Sequence, residues 1–508
     1  MRLAELVGTL SLATDAGTAM PEESGLMAAI AAAKLGEVIG ATPREQSDAY
    51  YLALLRYSGC TADNDIAFSL FGDELQFGRD TYGLDYGDAR QVLPAVLRSA
   101  RRGKGVVGGA MAMARALGKL PKMPAVSRAH CEVADLLAAR LGMDATLRAA
   151  LVQHSERWNG SGMPAKLKGD AIALTMRLVH VAFDVVIGFK LGGAEGAVSR
   201  VKQLSKKGLD PNIVEKFVAL SDRVVSAIDV PSIWKAFLEA EPAPQKEVNG
   251  DAIDEALATM AAFADLKSKY TRGHSTAVSE LAAAAGKAAG LDEAMQRDLR
   301  RAGLLHDIGR VAITSGIWDK AEPLTDLERE KIRLHTYIGE RVLARAPALA
   351  AIAELSCLAH ERLDGAGYHR RLSAAACPPA ARILAAADVY VALGEDRPHR
   401  KAMTREDAAA EMTKMAEGGS LCPDAARAVL AAAGHVVKKV DRAHGLTDRE
   451  IDVLRLIAKG FTNKEIASSL EISTKTAGHH VQHIFEKLGV TTRAAAAICA
   501  MSKGLTSA

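Results

Sequence analysis

Six residues in the second half of the chain belong to types that hold metal ions through nitrogen and oxygen: His274, His306, Asp307, His335, His360 and Asp388. Two of them are adjacent, at the end of the apolar helical run Leu304-Leu305-His306-Asp307-Ile308-Gly309-Arg310. An imidazole beside a carboxylate suits a cation that accepts both donor types, so the set favours Mn, Fe or Zn over Mg, which prefers all-oxygen shells. Carboxylates bridge ions and imidazoles complete their shells, and such a centre brings bound water from a pKa of 15.7 to about 7, where it attacks phosphorus in line. The chemistry expected is metal-dependent phosphoester hydrolysis with one or two divalent ions.

Downstream of the pair lies His360-Glu361-Arg362-Leu363-Asp364-Gly365-Ala366-Gly367-Tyr368. With that stretch, the constellation resembles the HD-GYP branch of the HD phosphohydrolase superfamily. The resemblance implies that His274, His306, Asp307 and Asp388 hold a first metal, with Asp307 bridging, and that His335 and His360 serve a second. It also implies catalytic roles for Asp307 and Arg310, contacts from Tyr368, Arg397 and Arg400 to a nucleotide, and cyclic di-GMP as that nucleotide. The chain departs from the pattern in three places. Ala359 replaces the first of two consecutive histidines, Arg310 replaces a lysine, and His369 replaces the proline of Gly-Tyr-Pro. Loss of an outer-shell partner alone costs roughly 10- to 100-fold in affinity or activity, so a missing direct ligand weakens the second site at least as much.

The elements that must carry these residues are helical. Apolar residues form 49% of the 508, dominated by alanine and leucine, and aromatics only 4%, which favours helix over sheet and an all-α fold. The length suggests about three domains. Net charge is only +3, from 64 basic and 61 acidic residues, so any nucleic-acid binding must be local. Six cysteines lack any paired spacing, which excludes a zinc ribbon or disulfide scaffold and fits a reducing cytoplasm. No run approaches the ~18 continuous apolar residues of a membrane span, so a cytoplasmic protein is expected.

The first half repeats the second. An offset of 250 places Leu54-Leu55 on Leu304-Leu305 and Gly59 on Gly309. An offset of 205 places His130 on His335, and Glu156-Arg157-Trp158-Asn159-Gly160-Ser161-Gly162 on Glu361-Arg362-Leu363-Asp364-Gly365-Ala366-Gly367. The first copy therefore carries an insertion, expected in the Gly72 to Gly118 region. It also lacks ligands: Ser24 stands for His274, Arg56 and Tyr57 for the His-Asp pair, and Ser155 for His360. Its own His130, His154 and Asp184 read as satisfied core or surface polars. The expected organisation is tandem helical HD-type bundles, the degenerate one over residues 1–238 and the HD-GYP-like one over 251–435. An acidic, proline-bearing linker at 239–250 separates them, and a second linker at 436–445 leads to a domain at 446–508.

In that last domain, Thr447 with Glu450 forms a capping box before Ile451 to Lys459, Asn463 opens a second helix to Leu470, and Ser473 caps a third from Thr474 to Leu488. Short helices in this order make a helix-turn-helix. Leu446-Thr447-x-Arg449-Glu450, Asn463-Lys464-Glu465-Ile466-Ala467, Lys475-Thr476 with His480, and Lys487-Leu488-Gly489-Val490 with Arg493 resemble the LuxR-type DNA-binding domain. The resemblance implies that the Thr474 to Leu488 helix enters the major groove, with Lys475, Thr476, His479, Gln482 and His483 facing DNA and Lys464 and Lys487 near phosphates. With eight basic against six acidic residues the module is only mildly basic, so a homodimer on a palindromic site is expected, paired through the helix Thr492 to Lys503. The functional expectation is a DNA-binding regulator whose HD unit senses or hydrolyses a phosphorylated nucleotide. Two alternatives stand beside it: a phosphodiesterase that DNA binding localises or controls, and a catalytically dead interaction module.

Overall fold

A computed structural model of the chain describes residues 1–60, 73–101, 118, 123–372, 376–436, 446, 448–470 and 472–502. The fold is all-α; among the described residues there is no β-strand, only isolated bridges such as Arg2 with Glu247. Residues 1–435 form one compact unit and 436–508 another.

Within the larger unit the duplication is visible in matched capping and turn contacts. Asp15 Oδ2 accepts from the Gly25 amide at 3.2 Å, and Asp265 Oδ2 accepts from the Ser275 amide at 3.1 Å, each just inside the helix that follows. Glu156 accepts from the amides of Ala165 and Leu167, and Glu361 from those of Arg370 and Leu372. Glycine is required twice over at the paired crossings. A Cβ on Gly59 would lie 2.1 Å from the His130 carbonyl oxygen, and one on Gly309 would lie 2.0 Å from that of His335.

Helix boundaries follow local signals. Thr42 and Glu45 form a capping box with Pro43 at the first helical position, which starts the helix Pro43–Leu55. Thr325 and Glu328 do the same for Asp326–Leu343, which carries His335.

The segment 239–250, read as a linker, is instead tied to the N-terminus. Leu3 donates to the Lys246 carbonyl at 2.7 Å and Val248 to the Met1 carbonyl at 2.9 Å. Glu241 is buried and accepts from Arg2 Nε at 2.9 Å, the Tyr51 hydroxyl at 2.5 Å and the Lys246 amide at 3.2 Å. Its acidity serves a buried acceptor rather than solvation, which composition alone does not distinguish.

The insertion contributes helices Glu74–Thr81 and Ala89–Arg101. Glu74 crosses to the second copy: its carboxylate meets the fully buried Lys267 Nζ at 2.9 Å and accepts from Thr314 Oγ1 and the Ser315 amide, both at 2.7 Å.

The smaller unit contains helices Asp448–Ala458, Asn463–Ser469, Thr474–Leu488 and Arg493–Ser502 around Leu446, Val453, Leu454, Ile457, Ile466, Ala477, Val481, Ile484, Ala496 and Ala500. Ser473 caps the third helix through the Thr476 amide at 3.0 Å. The capping box at Thr447 lies outside the described residues.

Candidate metal centre and DNA-reading helix

Five segments bring the six residues together. His274 is the first residue of its helix, His306 and Asp307 follow Glu293–Leu305, His335 lies in Asp326–Leu343, His360 precedes the Glu361 turn, and Asp388 lies in Pro379–Leu393. Asp307 is fully buried and divides its two oxygens between two sets of imidazoles. Oδ2 lies 3.3 Å from His306 Nε2 and 3.7 Å from His274 Nε2, while Oδ1 lies 3.1 Å from His335 Nε2 and 3.4 Å from His360 Nε2. Asp388 closes the ring, with Oδ1 3.1 Å from His274 Nε2 and Oδ2 3.0 Å from His360 Nδ1.

Outer contacts orient the imidazoles. His306 Nδ1 donates to the Gly303 carbonyl at 2.8 Å and His335 Nδ1 to the Ile332 carbonyl at 2.5 Å, which turns each Nε2 lone pair inward. His274 Nδ1 meets Glu395 Oε2 at 2.9 Å, a carboxylate–histidine contact that the sequence pattern did not flag.

Electrostatics test whether a cation fits. Burial alone would lower the pKa of His306, yet Asp307 and Asp388 outweigh it and hold the imidazole well above its ordinary range. His274 and His360 are raised in the same way against burial, by Asp388 with Glu395 and with Asp307 respectively. His335, dominated by burial, is lowered to about 4 and stays neutral. Two buried carboxylates thus demand positive charge, and a divalent ion supplies it without protons. His306 Nε2 and His335 Nε2 are buried without hydrogen-bond partners. A metal fits this donor set, with His274, His306 and Asp388 in one trio and His306, Asp307 and His360 in another.

Around this centre Arg310 Nη2 pairs with Asp307 Oδ2 at 2.6 Å, and its guanidinium lies 4.4 Å from the Trp318 ring. Trp318 in turn donates to the Arg310 carbonyl at 3.1 Å and stands edge-on to His335, 5.6 Å between ring centres. Trp318 escaped the sequence reading because nothing in its spacing marks it. Tyr368 lies 5.0 Å from His360 and 5.8 Å from His335, ring centre to ring centre. Gly367 makes that approach possible: a Cβ there would lie 2.4 Å from the Arg362 nitrogen. His369 points to Thr336 Oγ1 at 2.8 Å. Arg397 pairs with Glu395 at 2.8 Å, the carboxylate that also meets His274. Arg400, expected at phosphates, turns to main-chain carbonyls instead: Nη1 meets those of Leu393 and Glu395, and Nη2 that of Ala392. It caps the Asp388 helix, satisfying carbonyls that have no partner within the helix.

Ala359 is buried, 1% exposed, where a second-site imidazole is missing. The corresponding position of the first copy, His154, holds a buried imidazole, so this turn accommodates one. Ala359→His is expected to raise the metal content by one ion per chain in elemental analysis; an unchanged content would mean that the added imidazole is not a ligand.

In the smaller unit the apolar side of Thr474–Leu488 is buried through Ala477, Val481 and Ile484, which leaves Lys475, Thr476, His479, Gln482 and His483 exposed on the other side. Lys464 is exposed as well. Lys487 departs from its expected phosphate role. Its Nζ meets both oxygens of the buried Glu450 at 2.7 and 2.9 Å, so its charge is already paired.

Residues 258–420 match the HD domain family, and residues 444–500 match the luxR family of bacterial regulatory proteins. The chain is similar to 3'3'-cGAMP-specific phosphodiesterase 3 of Vibrio cholerae, 32% identical over 51% of this chain and 56% of that protein. It is also 38% identical to a cyclic di-GMP phosphodiesterase of Pseudomonas aeruginosa, over 33% of this chain and 40% of that one. The matches thus span about half or less of these relatives. A crystal structure of a cyclic GMP-AMP-specific phosphodiesterase of V. cholerae shares the fold, with a TM-score of 0.59 at 21% identity over 86% of this chain and 99% of that one. Among the described residues no helix is long and apolar enough to cross a membrane. The chain therefore carries an HD domain over residues 258–420 and a luxR-family helix-turn-helix over 444–500, and its HD half is similar to cyclic-dinucleotide phosphodiesterases.

Proposed function

We propose that the chain is a DNA-binding regulator whose second copy hydrolyses a phosphodiester bond of a cyclic dinucleotide. The observation that carries this reading is the division of one buried carboxylate, Asp307, between the His274–His306 and His335–His360 pairs. His274, His306, Asp307 and Asp388 would hold a first ion of Mn, Fe or Zn, and His335 and His360 a second. When bound, the metal supplies water activated near neutral pH and neutralises phosphate charge. Arg310, clamped between Asp307 and Trp318 with its Nε buried and unpartnered, is placed to donate to a phosphate oxygen. Tyr368 offers a ring face for a base, and Arg397 brings a second guanidinium near the centre. Arg400 supports this reading only by holding the turn that carries Arg397.

The names of the relatives supply two substrates to try, cyclic di-GMP and 3'3'-cGAMP. The chain loaded with manganese is expected to linearise at least one of them, and chelation to stop it. A loaded chain inert to both would remove hydrolysis and leave sensing.

The helix-turn-helix would read DNA as a homodimer through the exposed face of Thr474–Leu488. Lys475→Ala is expected to weaken binding to duplex DNA and to reduce the salt-dependence slope by about 1. Lys487→Ala should instead lower the melting temperature, since it removes the lysine that pairs with the buried Glu450 carboxylate. Equal salt slopes for the Lys475 variant and the parent would exclude Lys475 from the phosphate contacts.

A further inference from the structure

The first copy has exchanged its charges. Offsets of 250 and 205 place Arg56 where His306 stands, Tyr57 where Asp307 stands, Phe183 where Asp388 stands and Lys190 where Glu395 stands. Helices Leu174–Leu204 and Pro379–Leu393 begin at matching positions, which fixes the Phe183 and Lys190 correspondences. Three carboxylates of the metal centre are therefore gone, and two fixed cations have come in.

Arg56 occupies the vacated centre. Its guanidinium carbon lies 4.6 Å from the centre of the Phe183 ring and 5.1 Å from that of Tyr57. Among the described residues it makes no hydrogen bond or ion pair, and its Nε is buried without a partner. Asp184 feels its charge from nearby but makes its ion pair elsewhere. Asp184 is taken by Arg200 at 2.7 Å, and Asp85 by Arg157 at 2.7 Å, with the Arg157 Nε also buried and unpartnered. The imidazoles nearby add no competing proton: burial holds His154 down to about 3 and His180 well below its ordinary range. A planar guanidinium, stacked on aromatic rings and without a carboxylate, is the arrangement that takes a phosphate by a two-pronged hydrogen bond.

We propose that the first copy is a phosphate receptor, in which Arg56 replaces the metal as the cationic centre and holds the phosphate of a small nucleotide without cleaving it. Cleavage is absent because Tyr57 and Phe183 supply no carboxylate to hold a hydrolytic ion. The proposal does not depend on turnover in the second copy.

The test uses the full chain with its second copy silenced by Asp388→Ala and chelator, titrated calorimetrically with inorganic phosphate and with cyclic di-GMP. The unmutated chain in chelator serves as the folded reference, and circular dichroism checks each variant. The expected result is one saturable, salt-sensitive site per chain for at least one probe. Arg56→Met should weaken it at least tenfold, and Arg56→Lys, which keeps the charge and loses the fork, by less. Binding of phosphate alone would identify a bare oxyanion site, and binding of cyclic di-GMP a nucleotide site; both support the receptor. Flat titrations with both probes, or equal affinity in Arg56→Met, would overturn it, and neither outcome bears on hydrolysis.

Discussion

Asp307→Ala is expected to lose both metal and turnover, with turnover falling by more than about a hundredfold, because the proposed function makes the residue a shared ligand and not an outer partner. Elemental analysis beside steady-state kinetics checks it. Among the described residues no other carboxylate in the centre faces all four imidazoles, and Asp388 reaches only His274, His306 and His360. Removing the Asp307 carboxylate also leaves Arg310 facing three imidazoles whose pKa values the two carboxylates had raised. Asp307→Asn preserves volume and separates the loss of ligand from a loss of packing. Retained metal with lost turnover would relocate Asp307 from ligand to substrate contact.

Glu74→Gln is expected to destabilise the larger unit by about 3–5 kcal/mol, the cost of stranding a buried charge. Lys267 is wholly buried, and Glu74 is its ion-pair partner across the two copies. Burial lowers the ammonium pKa and the Glu74 carboxylate pulls it back up. For Glu74 itself burial would raise the carboxyl, but Lys267, the Ser315 amide and Thr314 outweigh it and hold it below the usual range. A depressed carboxyl stabilises the fold above its unfolded pKa and loses that contribution as pH falls through the folded value. The parent should therefore lose stability on acidification more steeply than the variant. Thermal melts across pH check both points, and Glu74→Leu with Lys267→Met, which removes both charges, should recover most of the loss. A Glu74→Gln melt equal to the parent's would show that the two copies are not pinned there.

Much of this architecture was legible before any coordinates. The six donors lie in helical or turn segments whose type the apolar periodicity gives, and the repeat at two offsets marks both the duplication and the insertion. The helix-turn-helix came from caps and spacing, so the Ser473 cap and the Thr474–Leu488 helix fall where expected. What escaped were pairings of residues distant in sequence. Glu74 with Lys267, Glu395 with His274, and Glu241 with Arg2 and Tyr51 join residues with no shared period, so no local pattern announces them. Two cations were misread for a related reason. Sequence marks Arg400 and Lys487 as charges available to phosphate, whereas folding commits them to carbonyls and to Glu450. Arg56 was read only as the loss of a ligand; its lack of a partner becomes visible once Asp184 and Asp85 are seen paired elsewhere.

The measurement that bears most directly on hydrolysis by the second copy is a manganese titration of the metal-stripped chain, following linear dinucleotide formation against ions bound. The structure predicts no product without metal, a rate that rises in proportion to occupancy, and none at any occupancy for Asp307→Ala. Product from the metal-free chain, or a fully occupied centre that yields none, would contradict it.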